Sequence, residues 1–104
     1  MRESARIPIS APQIAEFCHR WQIQELALFG SVLGEQFGDE SDVDVLITFA
    51  AGVPYTFRHL TAMQSELEAI FGRSVDLVDR TAVEQSENYI RRNSILKSAE
   101  LIYA

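Results

Sequence analysis

The first pattern of apolar and polar residues along the chain is that of a capped helix. Ser10 and Gln13 stand three positions apart, as in a helix capping box, and Pro12 falls in the first turn, where proline is tolerated. Apolar residues then recur every three or four positions as far as Trp21, so they share one side of a helix. We predict a helix over about residues 11–22 with this side buried.

Two strands are predicted next, because the apolar runs that follow are short and are bounded by turn residues. Residues 25–29 form an apolar run that ends at Gly30, which indicates a buried strand followed by a turn. The segment 31–37 is expected to form a short helix. After the polar turn 38–41, residues 42–49 are rich in β-branched side chains and predict a second strand.

The second half of the chain predicts two further helices and a third strand. In residues 57–71 large apolar side chains recur every three or four positions, and Gly72 supplies the usual end of such a helix. Residues 74–78 predict a short strand. A helix is expected from about residue 81 to 97, and the apolar tail 99–104 is expected to pack against the core.

These elements predict an α/β (α+β) fold in a single domain over residues 1–104. Apolar residues make up 47% of the chain and charged residues 23%, which is the composition of an ordinary globular domain rather than a disordered one. A chain of 104 residues can bury a core without disulfides, but it has no room for a second domain. We expect a small mixed β-sheet of three or more strands with helices packed mainly on one face.

Charge and cysteine content narrow the classes of function. The formal net charge of −6 repels phosphate backbones, which argues against binding of free nucleic acid. No apolar run approaches the roughly 20 residues that span a bilayer, and no secretory signal is visible, so no membrane role is expected. The single cysteine, Cys18, cannot form an internal disulfide. We therefore expect a cytoplasmic protein.

Three aspartates are the candidate catalytic residues and metal ligands. Asp42 and Asp44 stand two apart in a predicted strand, so their carboxylates share one face and repel each other unless a cation compensates. Asp76 interrupts the otherwise apolar third strand, where burial alone favours an aliphatic side chain. If the second and third strands are neighbours, three hard oxygen ligands meet at one edge of the sheet. Such a set suits a two-metal magnesium site for phosphoryl transfer.

Gly30 and Ser31 are the candidate nucleotide-binding residues. A glycine lets the backbone approach a phosphate closely, and the free N–H groups of a following helix start can bind it together with the Ser31 hydroxyl. The structural alternative is a turn glycine, a solvated acidic loop and aspartates placed by chance. The combined spacing favours the functional interpretation.

The pattern Gly30-Ser31, ten residues, Asp42-Val43-Asp44 and a later strand aspartate resembles the DNA polymerase beta nucleotidyltransferase superfamily. In particular, it is similar to the small stand-alone members of bacteria and archaea. The resemblance extends over residues 24–103, nearly the whole chain. It implies a nucleotidyltransferase fold.

The resemblance also implies roles for the site residues. Asp42 and Asp44 match the pair that binds both magnesium ions, and Asp76 matches the third carboxylate, on the ion that activates the nucleophile. Gly30 and Ser31 match the turn that grips the phosphates.

Small proteins of this family are commonly encoded beside a HEPN-domain ribonuclease and act as its antitoxin. In some cases they transfer AMP from ATP to a tyrosine of the toxin. The resemblance therefore implies ATP as substrate, Mg²⁺ as cofactor, and a HEPN-domain protein as the partner with which the chain assembles.

One departure from the family pattern leaves two hypotheses open. Many relatives carry a basic residue shortly after the Gly-Ser, whereas no cation occurs here between Ser31 and Arg58. Either the phosphates are bound less tightly, or Arg91, Arg92 or Lys97 supplies the cation, although paired arginines ordinarily form a solvated helix face. The chain is then an active enzyme or a binding module that neutralises its partner by occupying it. Transfer to a small molecule is disfavoured, because no second domain encloses such a substrate.

Overall fold

The computed structural model of the chain describes residues 9–30, 41–52 and 56–104. Its helices and strands, in chain order, are α1 (Ala11–Trp21), β1 (Ile23–Phe29), β2 (Val43–Phe49), α2 (Phe57–Phe71), β3 (Val75–Asp79), α3 (Arg80–Glu84), α4 (Tyr89–Ser98) and β4 (Glu100–Tyr103). Ser31 and the short helix predicted over residues 31–37 lie outside the described residues. Within the described ranges, no helix has the length and apolar character needed to cross a bilayer.

The four strands form one mixed sheet in the order β3-β2-β1-β4. Strand β1 pairs antiparallel with β2 and with β4, whereas β2 and β3 pair in parallel. A parallel pair needs a crossover connection, and α2 lies in the connection between β2 and β3. The sheet and its helices confirm the predicted α+β fold.

The larger core lies on the sheet face that α1 and α2 cover. Side chains alternate along a strand, so Val43, Val45 and Ile47 of β2 all point into this core. Leu46 points to the other face, where a smaller cluster packs against α3 and α4; its buried members are Ala27, Phe29, Leu46, Val83 and Ile95. The two longest helices thus share one face, and the two shorter helices cover part of the other.

Helix α1 begins as its sequence predicts and is tied to α2 near its end. The Ser10 hydroxyl accepts a hydrogen bond from the backbone N–H of Gln13 at 3.4 Å. Glu66 of α2 accepts a hydrogen bond from Trp21 Nε1 at 2.7 Å and forms an ion pair with Arg20. This contact holds the two helices of the larger core together.

The single helix predicted over residues 81–97 is wrong, because the structure has two helices there. Helix α4 begins after Asn88, whose Oδ1 accepts a hydrogen bond from the backbone N–H of Arg91 at 3.1 Å. Ser86 Oγ accepts from the Asn88 N–H at 3.2 Å, and the Ser86 carbonyl accepts from Arg92 Nη1 at 2.9 Å. These side chains give the backbone alternatives to helical hydrogen bonds. The break sets the rotation of α4, and hence which of its side chains face the sheet.

The apolar tail packs against the core as the strand β4. It runs antiparallel to β1, with Leu26 opposite Tyr103 and Leu28 opposite Glu100. Ile102 and Tyr103 are partly buried against the larger core. A segment this short carries too little periodicity to be identified as a strand from its sequence.

We predict that Cys18 makes the protein less stable at alkaline pH. Its thiol is fully buried, and this burial raises its pKa to about 12. In the unfolded chain the thiol ionises near its ordinary pKa of about 8.5, so between these values only the unfolded state gives up the proton. The free energy of unfolding should therefore fall by about 2 kcal/mol from pH 7 to pH 10 on account of this thiol.

Urea unfolding of the reduced protein at the two pH values measures this effect. Cys18→Ala keeps every other group that titrates in alkali, so it serves as the control. Its free energy of unfolding should fall by about 2 kcal/mol less than that of the unsubstituted chain. Equal falls in the two proteins would contradict the role of the buried thiol.

Candidate functional site

Asp44 of β2 and Asp76 of β3 lie directly opposite each other. The two strands are in parallel register, in which Val43 faces Val75 and Asp44 faces Asp76. Register partners on neighbouring strands project from the same face of the sheet. Because Val43 and Val75 both point into the larger core, the two aspartates project from the opposite face. The second and third strands are therefore neighbours, as the predicted site requires.

Asp42 adds a third carboxylate to the same end of the sheet. It lies two residues before Asp44 and is exposed, as is Asp76. Partial burial raises the pKa of Asp44 above its ordinary value, and the charges of Asp76 and Asp42 raise it further. Among the described residues, no cation forms an ion pair with any of the three aspartates. A cation bound among them would relieve the repulsion.

Gly30 lies against Asp44 in a geometry that leaves no room for a side chain. Its φ is +77°, in the left-handed region, and a Cβ built on it would lie 2.2 Å from Asp44 Oδ2. The preceding residue, Phe29, is the register partner of Asp44 on β1. The predicted nucleotide-binding glycine is thus at the same end of the sheet as the aspartates, while Ser31 lies outside the described residues.

Hydrogen bonds from neighbouring segments fix the starts of the two strands that carry the aspartates. The N–H of Val43 donates to the carbonyl oxygen of the residue before Val75 at 2.9 Å, which joins the starts of β2 and β3. Glu68 Oε2 of α2 accepts from the Val75 N–H at 3.0 Å. Arg73 Nη1 donates to the carbonyl oxygen of Ser41 at 3.3 Å. The backbone beside the aspartates is therefore held in place by the protein itself.

The charge of Arg91 on α4 acts on Asp44, whereas the sequence offered Arg91 only as one of three candidate cations. Its guanidinium charge lowers the pKa of Asp44 and so opposes the effect of burial. Arg91 is exposed and stands four residues before Ile95, which is buried against the sheet. Side chains four apart share one side of a helix, so the sequence places Arg91 on the same side as Ile95 once the start of α4 is known. Arg92, by contrast, donates to the carbonyl oxygen of Ser86.

The carboxylates of Asp42, Asp44 and Asp76 suit a hard divalent cation as ligands. Carboxylate oxygens are the ligands that magnesium prefers in proteins, and three of them lie at one end of the sheet. Within the described ranges, no group of three His, Cys, Asp or Glu side chains already stands in a metal-binding arrangement. Binding of an ion here would therefore require the exposed carboxylates of Asp42 and Asp76 to turn toward Asp44.

Sequence comparison links this chain to nucleotide transfer. The sequence model of the family described as "Nucleotidyltransferase domain" matches residues 13–102. The protein adenylyltransferase MntA of Thermococcus cleftensis is 30% identical over 69 residues, which are 66% of this chain and 68% of that protein. The match to the family model spans β1 to β4 and therefore includes the segments that carry the three aspartates.

Solved structures share the fold. A toxin–antitoxin structure with AMP-PNP matches with a TM-score of 0.69 at 16% identity, covering 92% of this chain and 74% of the matched chain. A structure of the tri-AMPylated HEPN toxin of Shewanella oneidensis in complex with MNT antitoxin matches with a TM-score of 0.60 at 17% identity, covering 90% and 69%. At these identities the likeness establishes the architecture.

Proposed function

This chain belongs to the nucleotidyltransferase domain family, and from that premise we propose that it transfers AMP from ATP to a hydroxyl group of a HEPN-domain toxin. On this proposal it acts in the cytoplasm as the antitoxin of that toxin. The name of the relative supports protein adenylyl transfer. The AMPylated toxin in a matching complex supports a HEPN-domain acceptor.

The observation that carries the proposal is the arrangement at the start of β2 and β3. Asp44 and Asp76 are register partners, Asp42 adds its charge to theirs, and Gly30 approaches the Asp44 carboxylate without an intervening side chain. Like charges are seldom collected in this way without a cationic ligand. A glycine has no side chain to shield its backbone, so a phosphate can approach that backbone closely.

Asp42, Asp44 and Asp76 would hold magnesium in this site. When bound, Mg²⁺ neutralises the triphosphate charge, favours ionisation of the acceptor hydroxyl and stabilises the leaving pyrophosphate. The chain supplies a rigid strand pair that keeps Asp44 and Asp76 at fixed spacing. The side chains of Asp42 and Asp76 are exposed and would turn toward Asp44 to complete the ligand set.

The reaction is an in-line displacement at the α-phosphorus of ATP. The acceptor hydroxyl oxygen forms a bond to the α-phosphorus as the bond to the oxygen that bridges the α- and β-phosphates breaks. The electron pair of the broken bond leaves with pyrophosphate. The carboxylate of Asp76 accepts the hydroxyl proton, a step that its position opposite Asp44 and its exposure to solvent favour.

The surface beside the site fits a protein acceptor. Tyr89 and Ile90 precede Arg91 at the start of α4, and their side chains are 62% and 69% exposed. Exposed apolar side chains of this size favour contact with another protein. The net charge of −6 favours a partner with basic residues at the interface.

The proposal is tested by incubating the chain and its candidate HEPN partner with magnesium and ATP labelled at the α-phosphate. We expect the label to appear on the partner, and the same reaction with ATP labelled at the γ-phosphate to leave the partner unlabelled. Asp42→Asn should abolish the transfer, because it removes one metal ligand. Glu16→Gln makes the same change of charge at an exposed position of α1, away from the site, and should transfer normally.

The same experiment separates the enzyme from the binding module. If Asp42→Asn neutralises the toxin as well as the unsubstituted chain does, and neither labels it, the chain acts by occupying its partner. The absence of a cation between Ser31 and Arg58 is the observation that favours that second function.

A further inference from the structure

The chain segment that approaches the phosphates in the proposed function carries no cation. None occurs between Gly30 and Arg58 in the sequence. A triphosphate bound beside three carboxylates experiences like-charge repulsion that metal ions cancel only in part. A charge-assisted hydrogen bond from a protein cation would strengthen its binding considerably. That cation must come from another part of the fold.

The packing of α4 brings Arg91 to the acidic end of the sheet. Ile95 of α4 and Leu46 of β2 are buried in the same cluster. Four residues back along the helix, from Ile95 to Arg91, is a step of about 6 Å. Two residues back along the strand, from Leu46 to Asp44, is a step of about 6.6 Å. Val78, the register partner of Leu46 on β3, lines a pocket together with Arg91, so Arg91 lies on the face of the sheet from which Asp44 and Asp76 project.

Arg91 also borders open space. It lines a pocket together with Val78, Ala82 and Ser86. Val78 stands two residues after Asp76 on β3, so the pocket adjoins the carboxylates on the same face of the sheet. Among the described residues, no carboxylate forms an ion pair with Arg91. Its guanidinium therefore reaches a ligand oxygen without breaking an ion pair within the protein.

The other cations of α4 do not fit this role. Arg92 lines the same pocket, but its Nη1 donates to the carbonyl oxygen of Ser86 at 2.9 Å, a contact that closes the loop before the helix. Lys97 stands two residues beyond Ile95, which places it on the far side of the helix from the sheet. Of the three cations that the sequence offered, Arg91 alone combines exposure with proximity to Asp44.

We propose that Arg91 is the phosphate-binding cation of this site, and that its guanidinium donates to oxygens of the nucleotide triphosphate from the α4 side. This inference rests on the proposed function, because it takes ATP as the ligand. Arg91 thereby replaces the basic residue that is absent after Ser31. The planar guanidinium can donate two parallel hydrogen bonds to one phosphate, which an ammonium group cannot.

Equilibrium binding of ATP in the presence of magnesium tests the proposal, with isothermal titration calorimetry as the readout. Arg91→Ala should raise the Kd for ATP about tenfold to a hundredfold, since hydrogen bonds to charged groups are lost. Arg91→Lys, which keeps the charge, should recover part of the affinity. Arg58→Ala removes an exposed cation on α2, on the other face of the sheet, and should bind ATP normally.

A second titration, with Mn²⁺ and no nucleotide, separates phosphate binding from positioning of the metal ligands. Removal of a positive charge near Asp44 should leave Mn²⁺ affinity unchanged or higher in Arg91→Ala. A weaker Mn²⁺ affinity in that variant would overturn the proposal, because Arg91 would then act by orienting Asp44. Equal loss of ATP affinity in Arg91→Ala and Arg58→Ala would also overturn it, since bulk charge would explain both.

The failures of the two proposals are distinguishable. ATP binding that is unchanged in Arg91→Ala, in a chain that still labels its partner, refutes the role of Arg91 alone. A chain that binds ATP through Arg91 but never labels a partner retains the phosphate site and refutes the transfer. A chain that does not bind ATP at all refutes both.

Discussion

Replacement of Asp44 with asparagine is expected to lower the rate of nucleotidyl transfer by at least about a thousandfold, or about 4 kcal/mol of activation free energy. Asp44 is the central member of the acidic group, opposite Asp76 on β3 and two residues after Asp42. Asparagine keeps the shape of the side chain but removes the charge that attracts a metal ion. The same change relieves the repulsion among the three carboxylates. In metal-free buffer the melting temperature should therefore stay the same or rise.

Two measurements check the expected loss of transfer rate and the expected melting temperature of Asp44→Asn. Label transfer to the partner gives the loss of rate, and thermal unfolding with and without magnesium gives the stability. Magnesium should raise the melting temperature of the unsubstituted chain, because it binds the folded state only. It should have little effect on Asp44→Asn, whereas Glu16→Gln should respond as the unsubstituted chain does. A fall of several degrees for Asp44→Asn in metal-free buffer would indicate that Asp44 is a structural residue.

Those parts of the fold that depend on local pattern could be predicted from the sequence. The cap at Ser10, the end of α2 at Gly72 and the strand after Ser41 all follow from the chemistry of neighbouring residues. The two-residue spacing of Asp42 and Asp44 belongs to the same class, because alternation along a strand is a local property. The sequence also singled out Asp76, since an aspartate in an apolar strand is costly to bury.

The parts that depend on contacts between distant segments could not be predicted. The alignment of Asp44 with Asp76 is set by the register of two strands joined through α2, and no short-range pattern fixes that register. The break before α4 was missed for another reason: it arises from local hydrogen bonds of Ser86 and Asn88 that compete with a continuous helix, and the apolar pattern does not reveal that competition. Without the break, the rotation of α4 is unknown, and Arg91 has the pattern of an ordinary solvated residue.

The position of Arg91 in the structure changes how the absence of a cation after Ser31 is interpreted. In the sequence, the absence favours a binding module without activity. In the structure, Arg91 of α4 lies on the same face of the sheet as Asp44, and its charge lowers the pKa of that aspartate. The missing residue is therefore weaker evidence for loss of activity than its position in the motif indicates. The two titrations proposed for Arg91 test whether the site binds a triphosphate without a basic residue after Ser31.

Replacement of Gly30 with alanine is expected to lower the rate of transfer by about a hundredfold, because a displacement of about 1 Å at a reacting group has an effect of that order. The new Cβ would lie 2.2 Å from Asp44 Oδ2, closer than the 3.0 Å that real Cβ atoms keep. The atom that it meets is the end of a side chain that can rotate. The fold therefore survives, and the carboxylate turns away from its position opposite Asp76.

Gly52→Ala is the matched control for this prediction, because it separates backbone strain from the collision. Gly52 has φ +78°, against +77° at Gly30, and no described atom lies within 4 Å of a Cβ built on it. Both alanines should lower the free energy of unfolding by about 1–2 kcal/mol, the cost of the left-handed conformation. Only Gly30→Ala should also lose transfer activity and Mn²⁺ affinity. If the two variants lose activity to the same extent, the close approach of Gly30 to Asp44 has no part in the reaction, and Gly30 is a turn residue alone.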